Sequence, residues 1–173
     1  MYMHQDIDDS VRERNRLRDL SEHDSMTDLF NSEKLDDMKR TEYVGLKSCG
    51  VIFFDVNYLK ATNDTFGHDA GDELIMTAAE SIRSITNRRT MAYRIGGDEM
   101  LVIAGDCSEQ ELSKMVTMWR ARLAELNIDA QHKCSLAVGW AWGEGKLDLD
   151  ELIRQADERM YRNKKEMNAA RTR

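Results

Sequence analysis

With 173 residues, 41% of them hydrophobic, the chain is long enough for one domain with a buried core, preceded by a short extension. Its net charge of −7 argues against nucleic-acid and anionic-membrane partners, which need a basic field; an anionic nucleotide stays open if a metal ion or a few local lysines supply positive charge. No apolar run approaches the roughly 18 residues of a membrane helix, the N-terminus has no signal-like stretch, and the scattered Cys49, Cys107 and Cys134 fit neither a disulfide framework nor a zinc motif, so reduced thiols and a cytoplasmic location are expected.

Residues 1–22 are strongly charged, with Ile7, Val11, Leu17 and Leu20 as sparse apolar positions. They read as a thin helical stripe, the end of a coiled coil, or as a frayed terminus. A turn follows, then a short helix from about Ser32. The continuous apolar run "CGVIFFDV" (49–56) predicts a buried strand. "NDTFGHDAGD" (63–72) is dense in turn formers and predicts a loop, with His68 as a structural loop residue. Leu74, Ala78, Ile82 and Ile85 then share one helical face. "TMAYRI" and "EMLVIA" flank Gly96-Gly97, a two-residue hairpin signal that calls for a type I′ turn with both glycines at positive φ. Leu112, Met115, Val116, Trp119, Leu123 and Leu126 mark a further amphipathic helix, "CSLAVGWAW" (134–142) a strand, and residues 149 to about 166 a closing helix. This order predicts a sheet with helices packed on it and an antiparallel hairpin near its middle.

The chemistry follows from where the acids fall. Asp55 closes an otherwise apolar strand, which is costly unless the carboxylate is paired or bound to metal. Asp98 and Glu99 open the second strand of the hairpin. If the two strands are neighbours, three carboxylates meet at one sheet end, and a hard divalent cation such as Mg²⁺, with Mn²⁺ as the alternative, relieves their repulsion. The bland alternative is a solvated hairpin tip and a capping aspartate. Past Asp55, a strand-to-helix turn can cradle phosphate oxygens on its backbone N–H groups, with Lys60 reaching a terminal phosphate. Asn63 and Asp72 can read the adjacent N–H donors of guanine; taken singly they are also ordinary turn and cap residues. The glycines at 96 and 97 also leave room for a ligand to approach the backbone.

"FFDVNYLKATNDTFGHDAGDELI" followed by "YRIGGDEMLVI" resembles the GGDEF family of diguanylate cyclases. "HDSMTDLFN" is similar to the family's opening signature, and "LAVGWA" with "DELIRQADERMYRNKK" to its closing strand and helix, so the likeness covers about residues 23 to 168. The resemblance implies an α+β fold: a central mixed, mainly antiparallel five-stranded sheet with helices on it, like nucleotidyl cyclases and polymerase palms. Residues 1–22 become an N-terminal signalling helix behind an upstream sensor, and 23–173 the catalytic domain. Two GTP would condense to cyclic di-GMP and two pyrophosphates across a homodimer. Carried over, Asp55 and Asp98 become Mg²⁺ ligands with the carbonyl of Val56, and Glu99 a further ligand or a base for the attacking hydroxyl. Asn63 and Asp72 become guanine readers, and Lys60 and Lys164 phosphate ligands.

The pattern breaks in places. Met100 stands where the family usually has Phe, Asp28 where it has Gly, and Ser32 where it often has Arg. Asn168 falls near the usual phosphate-binding arginine, with Lys165 or Arg171 as substitutes. Asn87 and Thr90 replace the Arg and Asp of the family's inhibitory site, so no inhibitory site is expected there; Arg88, Arg89 and Arg94 read as a solvated basic edge. The competing readings are a degenerate domain that binds GTP or cyclic di-GMP as a regulatory module, and a dimerisation module.

Overall fold

The computed structural model describes residues 3–172, with side chains from residue 7 onward. In chain order the elements are α1 (Met3–Glu22), α2 (Ser32–Arg40), β1 (Ser48–Val56), α3 (Leu59–Phe66), α4 (His68–Arg83), β2 (Thr90–Arg94), β3 (Glu99–Gly105), α5 (Glu109–Asn127), β4 (Leu136–Glu144) and α6 (Leu149–Arg171). The strands form one sheet in the order β2-β3-β1-β4, every pairing antiparallel.

Helices cover both faces, which explains why β1 is apolar without alternation. Ile52 and Phe54, with Met100 and Val102 of β3, pack against Leu74, Ile75, Ala78 and Ile82 of α4 and Leu112, Val116 and Trp119 of α5. Val51 and Phe53, with Leu101 and Ile103, face Leu35 and Met38 of α2 and Leu152, Ala156 and Met160 of α6. The period of two along each strand sorts these sets. A side chain at Gly139 would come 2.1 Å from the Met160 nitrogen, so α6 packs directly on the β4 backbone. Asp55 and Glu99 share parity with Phe53 and Leu101, which turns both acids toward the α6 face.

The structure departs from the sequence-based expectations at several points. Among the described residues the sheet has four strands, not five, and no parallel strand. On the β4 edge, Asn163 Oδ1 of α6 accepts the Val138 N–H at 3.0 Å and Arg159 donates to the Trp140 carbonyl at 2.6 Å, so side chains occupy positions that a fifth strand would need. On the β2 edge, among the described residues, the pairing is limited to isolated bridges, Phe30 parallel to Tyr93 and Asn87 antiparallel to Thr90. Residues 63–72 are not a loop: α3 and α4 meet at Gly67, whose φ of 92° makes the break, while the flanking Asn and Asp residues stay helical and His68 opens α4 on the surface. The Gly96-Gly97 turn is not type I′. Neither glycine has a positive φ, and Ile95 to Asp98 lie between the strands, with the Ile95 and Gly96 amides both donating to the Glu99 carbonyl (3.0 and 3.3 Å). Asp28 takes φ 59°, the left-handed conformation in which a glycine is at ease, so the entry turn keeps that geometry with an aspartate in place. Met100 is fully buried.

Candidate functional site: a carboxylate centre at the sheet end

β1 and β3 run antiparallel with Asp55 opposite Glu99, so the end of one strand meets the start of the other. The Val56 amide donates to the Asp98 carbonyl at 2.9 Å and pins the hairpin loop to β1. Together these contacts bring one ligand atom from each of Asp55, Asp98 and Glu99 within 4.8 Å of one another. Asp55 is buried, at 6% exposure. Burial pushes its carboxyl above the ordinary range and Asp98 adds to this, against the opposing pull of Lys164. Burial, then Asp55 and Asp98, raise the Glu99 carboxyl in the same way.

The donor set fits a hard divalent cation. Three oxygen donors, one buried and two half-buried, converge with more negative charge than the neighbouring lysine offsets. Lys164 Nζ lies 3.0 Å from Asp55 Oδ1, carried there by the α6 face that packs on β1 and β4. Val56 is buried beside Asp55. Lys60 is exposed in the first turn of α3, whose first amides have no side-chain cap.

Asn63 and Asp72 sit on different helices of the α3–α4 pair, both partly buried. The Asn63 amide lies in the space beside Gly71, where a Cβ would come 1.7 Å from its Oδ1, and that oxygen is buried without a hydrogen-bond partner. A buried unpaired acceptor costs stability and points to an outside partner. Asp72 follows Gly71 directly, so the two predicted base-reading residues flank one glycine.

Two contributors were missed from sequence. Asp157 raises both Asp55 and Glu99, and the only signal was its helical spacing, two turns before Lys164 on α6. Arg94 is no solvated edge residue: only 15% exposed, it bonds Asp24 at 3.1 Å and donates to the Gly97 carbonyl at 2.8 Å. Burial alone would raise the Asp24 carboxyl, but the Thr27 hydroxyl and amide and Arg94 together hold it below the ordinary range. The opening "DSMT" segment is thereby tied to the glycine turn. Arg88 and Arg89 do lie exposed, along a groove of about 570 Å³ that contains none of the predicted site residues.

An α+β domain with a carboxylate centre suited to a divalent cation at one sheet end is the class defined by this geometry. The chain belongs to the GGDEF family: the family described as diguanylate cyclase, GGDEF domain, matches residues 21–170. Diguanylate cyclase DgcM of Escherichia coli K12 is 24% identical over 163 residues, which make up 92% of this chain and 40% of DgcM. Cyclic di-GMP phosphodiesterase PdeR of the same strain is 31% identical over 162 residues, covering 90% of this chain and 24% of PdeR. The chain therefore spans less than half the length of either relative. The structure of the coiled coil and GGDEF domain of DgcB from Caulobacter crescentus, in complex with c-di-GMP, shares the fold with a TM-score of 0.74 at 21% identity, covering 95% of each chain. Among the described residues no helix is long and apolar enough to cross a membrane.

Proposed function

We propose that this chain is a diguanylate cyclase domain that condenses two GTP into cyclic di-GMP and two pyrophosphates, each of two facing domains holding one GTP. The observation that carries this reading is the convergence of Asp55, Asp98 and Glu99 within 4.8 Å beside Lys164. Asp55 and Asp98, with the Val56 carbonyl, would hold Mg²⁺, or Mn²⁺ in its place. The bound ion supplies neutralisation of the phosphates and polarisation of the attacking hydroxyl. Glu99 joins the ligand set or takes the proton from the 3′-hydroxyl as that oxygen bonds to the α-phosphorus of the other nucleotide and pyrophosphate leaves. Its raised carboxyl is the better base for that role. Lys60 and Lys164 hold the terminal phosphates, while Asn63 and Asp72 select guanine by its N–H donors. The positive ends of these contacts position the two reactants, the larger part of phosphoryl-transfer catalysis.

Pairing of two domains falls to α1, whose Ile7, Val11, Leu17 and Leu20 are exposed. An unpartnered apolar stripe on a charged helix suits a two-stranded coiled coil and a signal from an upstream sensor. A second reading draws on the likeness to PdeR, a protein named as a cyclic di-GMP phosphodiesterase: the domain binds GTP and regulates a neighbour without turnover. Incubation with GTP and Mg²⁺, the chain fused to a strong dimeriser, separates the two when products are resolved by chromatography. Cyclic di-GMP with two pyrophosphates is the expected outcome. GTP bound but unconverted favours the regulatory reading, and no GTP binding removes both.

A further inference from the structure

We propose that the cleft between α5, the open edge of β4 and α6 is a separate anion site, suited to the phosphate monoester of a small molecule. Strand alternation sets its floor. Trp140 turns its carbonyl outward, where Arg159 Nη1 donates to it at 2.6 Å, and Val138 turns its N–H outward onto Asn163 Oδ1 at 3.0 Å. In an antiparallel strand the N–H and C=O of one residue point the same way, so the Trp140 N–H also faces the open edge. It meets no acceptor among the described residues. The Asn163 oxygen is taken by Val138, which leaves its Nδ2 as a further donor. The edge therefore presents donors.

Charge points the same way. Arg120 of α5 and Arg159 and Arg162 of α6 line this cavity of about 360 Å³, with Glu166 as its one acid. The Arg120 guanidinium lies over the Trp140 ring, 5.8 Å from its centroid, so one tryptophan holds two of the three cations, one by its ring and one by its carbonyl. None of the three arginines is ion-paired among the described residues, whereas Arg154, earlier on α6, is held by Glu151 and Glu158 at 2.7 and 2.6 Å. Edge protection accounts for Arg159 and Asn163, which cover backbone groups of β4. It does not account for Arg120 and Arg162, which cover none among the described residues. Three positive charges less one negative leave a surplus of two. A phosphate monoester carries about −1.5 to −2 near pH 7 and offers oxygens that guanidinium edges bind two at a time. The cavity has the size of a small-molecule pocket. Neither the carboxylate centre nor Asn63 and Asp72 line it, so the site stands apart from the GTP reading.

The indole Nε1–H resonance of Trp140 in the ¹⁵N-labelled chain, assigned with Trp140→Phe, reads occupancy of the cleft. The titrations are run in EDTA, so that no metal draws phosphate to the carboxylate centre. Ribose 5-phosphate should move this resonance saturably, and at lower concentration than inorganic phosphate does. Arg162→Ala should weaken ribose 5-phosphate binding about tenfold or more, since hydrogen bonds between charged groups are among the stronger ones. Arg162→Lys should recover part of the loss, with the unfolding midpoint of both variants at the wild-type value. Arg154→Ala, on the same helix but outside the cavity, should bind as wild type. No saturable shift, or unchanged affinity in Arg162→Ala, overturns the proposal. So does inorganic phosphate binding as tightly as the ester, which marks an adventitious ion only. An equal loss in Arg154→Ala overturns it too, as the sign of a diffuse field. None of these outcomes depends on whether the chain turns over GTP.

Discussion

Lys164 Nζ sits 3.0 Å from Asp55 Oδ1, a cation from the last helix against an acid of the first strand, 109 residues apart in the chain. The acid is almost fully buried and the lysine about one-third exposed. Lys164 is thus a cation in direct contact with the carboxylate centre, where positive charge offsets the clustered acids. Removing it leaves a buried carboxylate uncompensated, which is costly, although the partial exposure of the pair tempers the effect. Lys164→Met should destabilise the EDTA-treated protein by about 1–2 kcal/mol. Added Mg²⁺ should stabilise the variant more than the wild type, because the ion takes over the lost neutralisation. Chemical denaturation with EDTA and with Mg²⁺ measures both; equal Mg²⁺ effects in the two proteins would separate Lys164 from the centre.

Glu99 gives the pH dependence its sign. Burial, then Asp55 and Asp98, raise its carboxyl in the folded protein above the ordinary value of 4.5. The folded state therefore binds more protons than the unfolded state between the two values, and this group's contribution to stability falls as pH rises through that window. Glu99→Gln removes the charge while keeping the shape. In EDTA the variant should be more stable than wild type at neutral pH, with the gain fading as pH falls toward the ordinary carboxylate range. Thermal unfolding from pH 4 to 8 reads the difference. A gain that is the same at both ends would deny the repulsion within the cluster.

Gly97 tests what the glycine turn is for. The fold does not need glycine here: its φ is not positive and an added Cβ would meet nothing within 4 Å. Gly97→Ala should leave the unfolding midpoint within about a degree or two of wild type, since surface changes without strain move stability little. Cyclase activity, or GTP affinity in a binding-only domain, should nevertheless drop markedly if the open backbone is where a nucleotide approaches, as the proposed function requires. Intact binding and activity would return these glycines to the role of a plain connection.

How far the sequence reached depends on the range of each interaction. Asp55, Asp98 and Glu99 were legible because strand register is local: one apolar run ends in an acid, a second begins with two, and antiparallel pairing joins them. Lys164 came from resemblance to a family motif, since helix periodicity alone gives no reason for that lysine to reach β1. Arg94 was misread because its partner Asp24 lies 70 residues away, and nothing local distinguishes a buried arginine from a solvated one. The 63–72 segment was misread for the opposite reason. Asn, Asp and Gly carry local turn signals, but Ala70, Leu74 and Ile75 bury a helical face whose packing outweighs them, leaving Gly67 as the single break. The expected fifth strand failed because Asn163 and Arg159, far along the chain, fill the β4 edge.

Asp72 is the proposed determinant of substrate choice. It follows Gly71, against which the unpartnered Asn63 oxygen is buried, so the base pocket is expected between α3 and α4. A carboxylate accepts the paired N–H donors of guanine and meets no such pair on adenine. Asp72→Ala should narrow the preference for GTP over ATP by about tenfold or more, the order of one bidentate base contact. Stabilisation by Mg²⁺ without nucleotide should stay unchanged, as Asp72 is not among the converging acids. Competition of the two nucleotides for one protein sample measures the ratio, and an unaltered ratio would remove Asp72 from base selection.

Asp28 offers a gain rather than a loss. Its φ of 59° lies in the region that L-residues other than Asn and Asp rarely visit, and its side chain is exposed at 88%. The turn matters because Thr27, one residue earlier, is buried and bonds Asp24 through both its amide (2.9 Å) and its hydroxyl (2.7 Å). That pair in turn fixes Arg94 against the glycine turn. The left-handed residue therefore lets the chain reverse immediately after a buried anchor. Glycine takes this conformation without the Cβ penalty, at the cost of a freer unfolded chain. The first effect is the larger where φ is positive, so Asp28→Gly should raise stability by about 0.5–1 kcal/mol. The weak contact of His23 Nδ1 with the Asp28 carboxylate, at 3.7 Å, is too exposed to reverse the sign. Asp28→Ala, which keeps the Cβ and loses the aspartate's tolerance of this conformation, should be less stable than wild type. Denaturant midpoints for the three proteins should thus run Gly above Asp above Ala; Ala at or above Asp would show that the backbone conformation of this turn carries no strain.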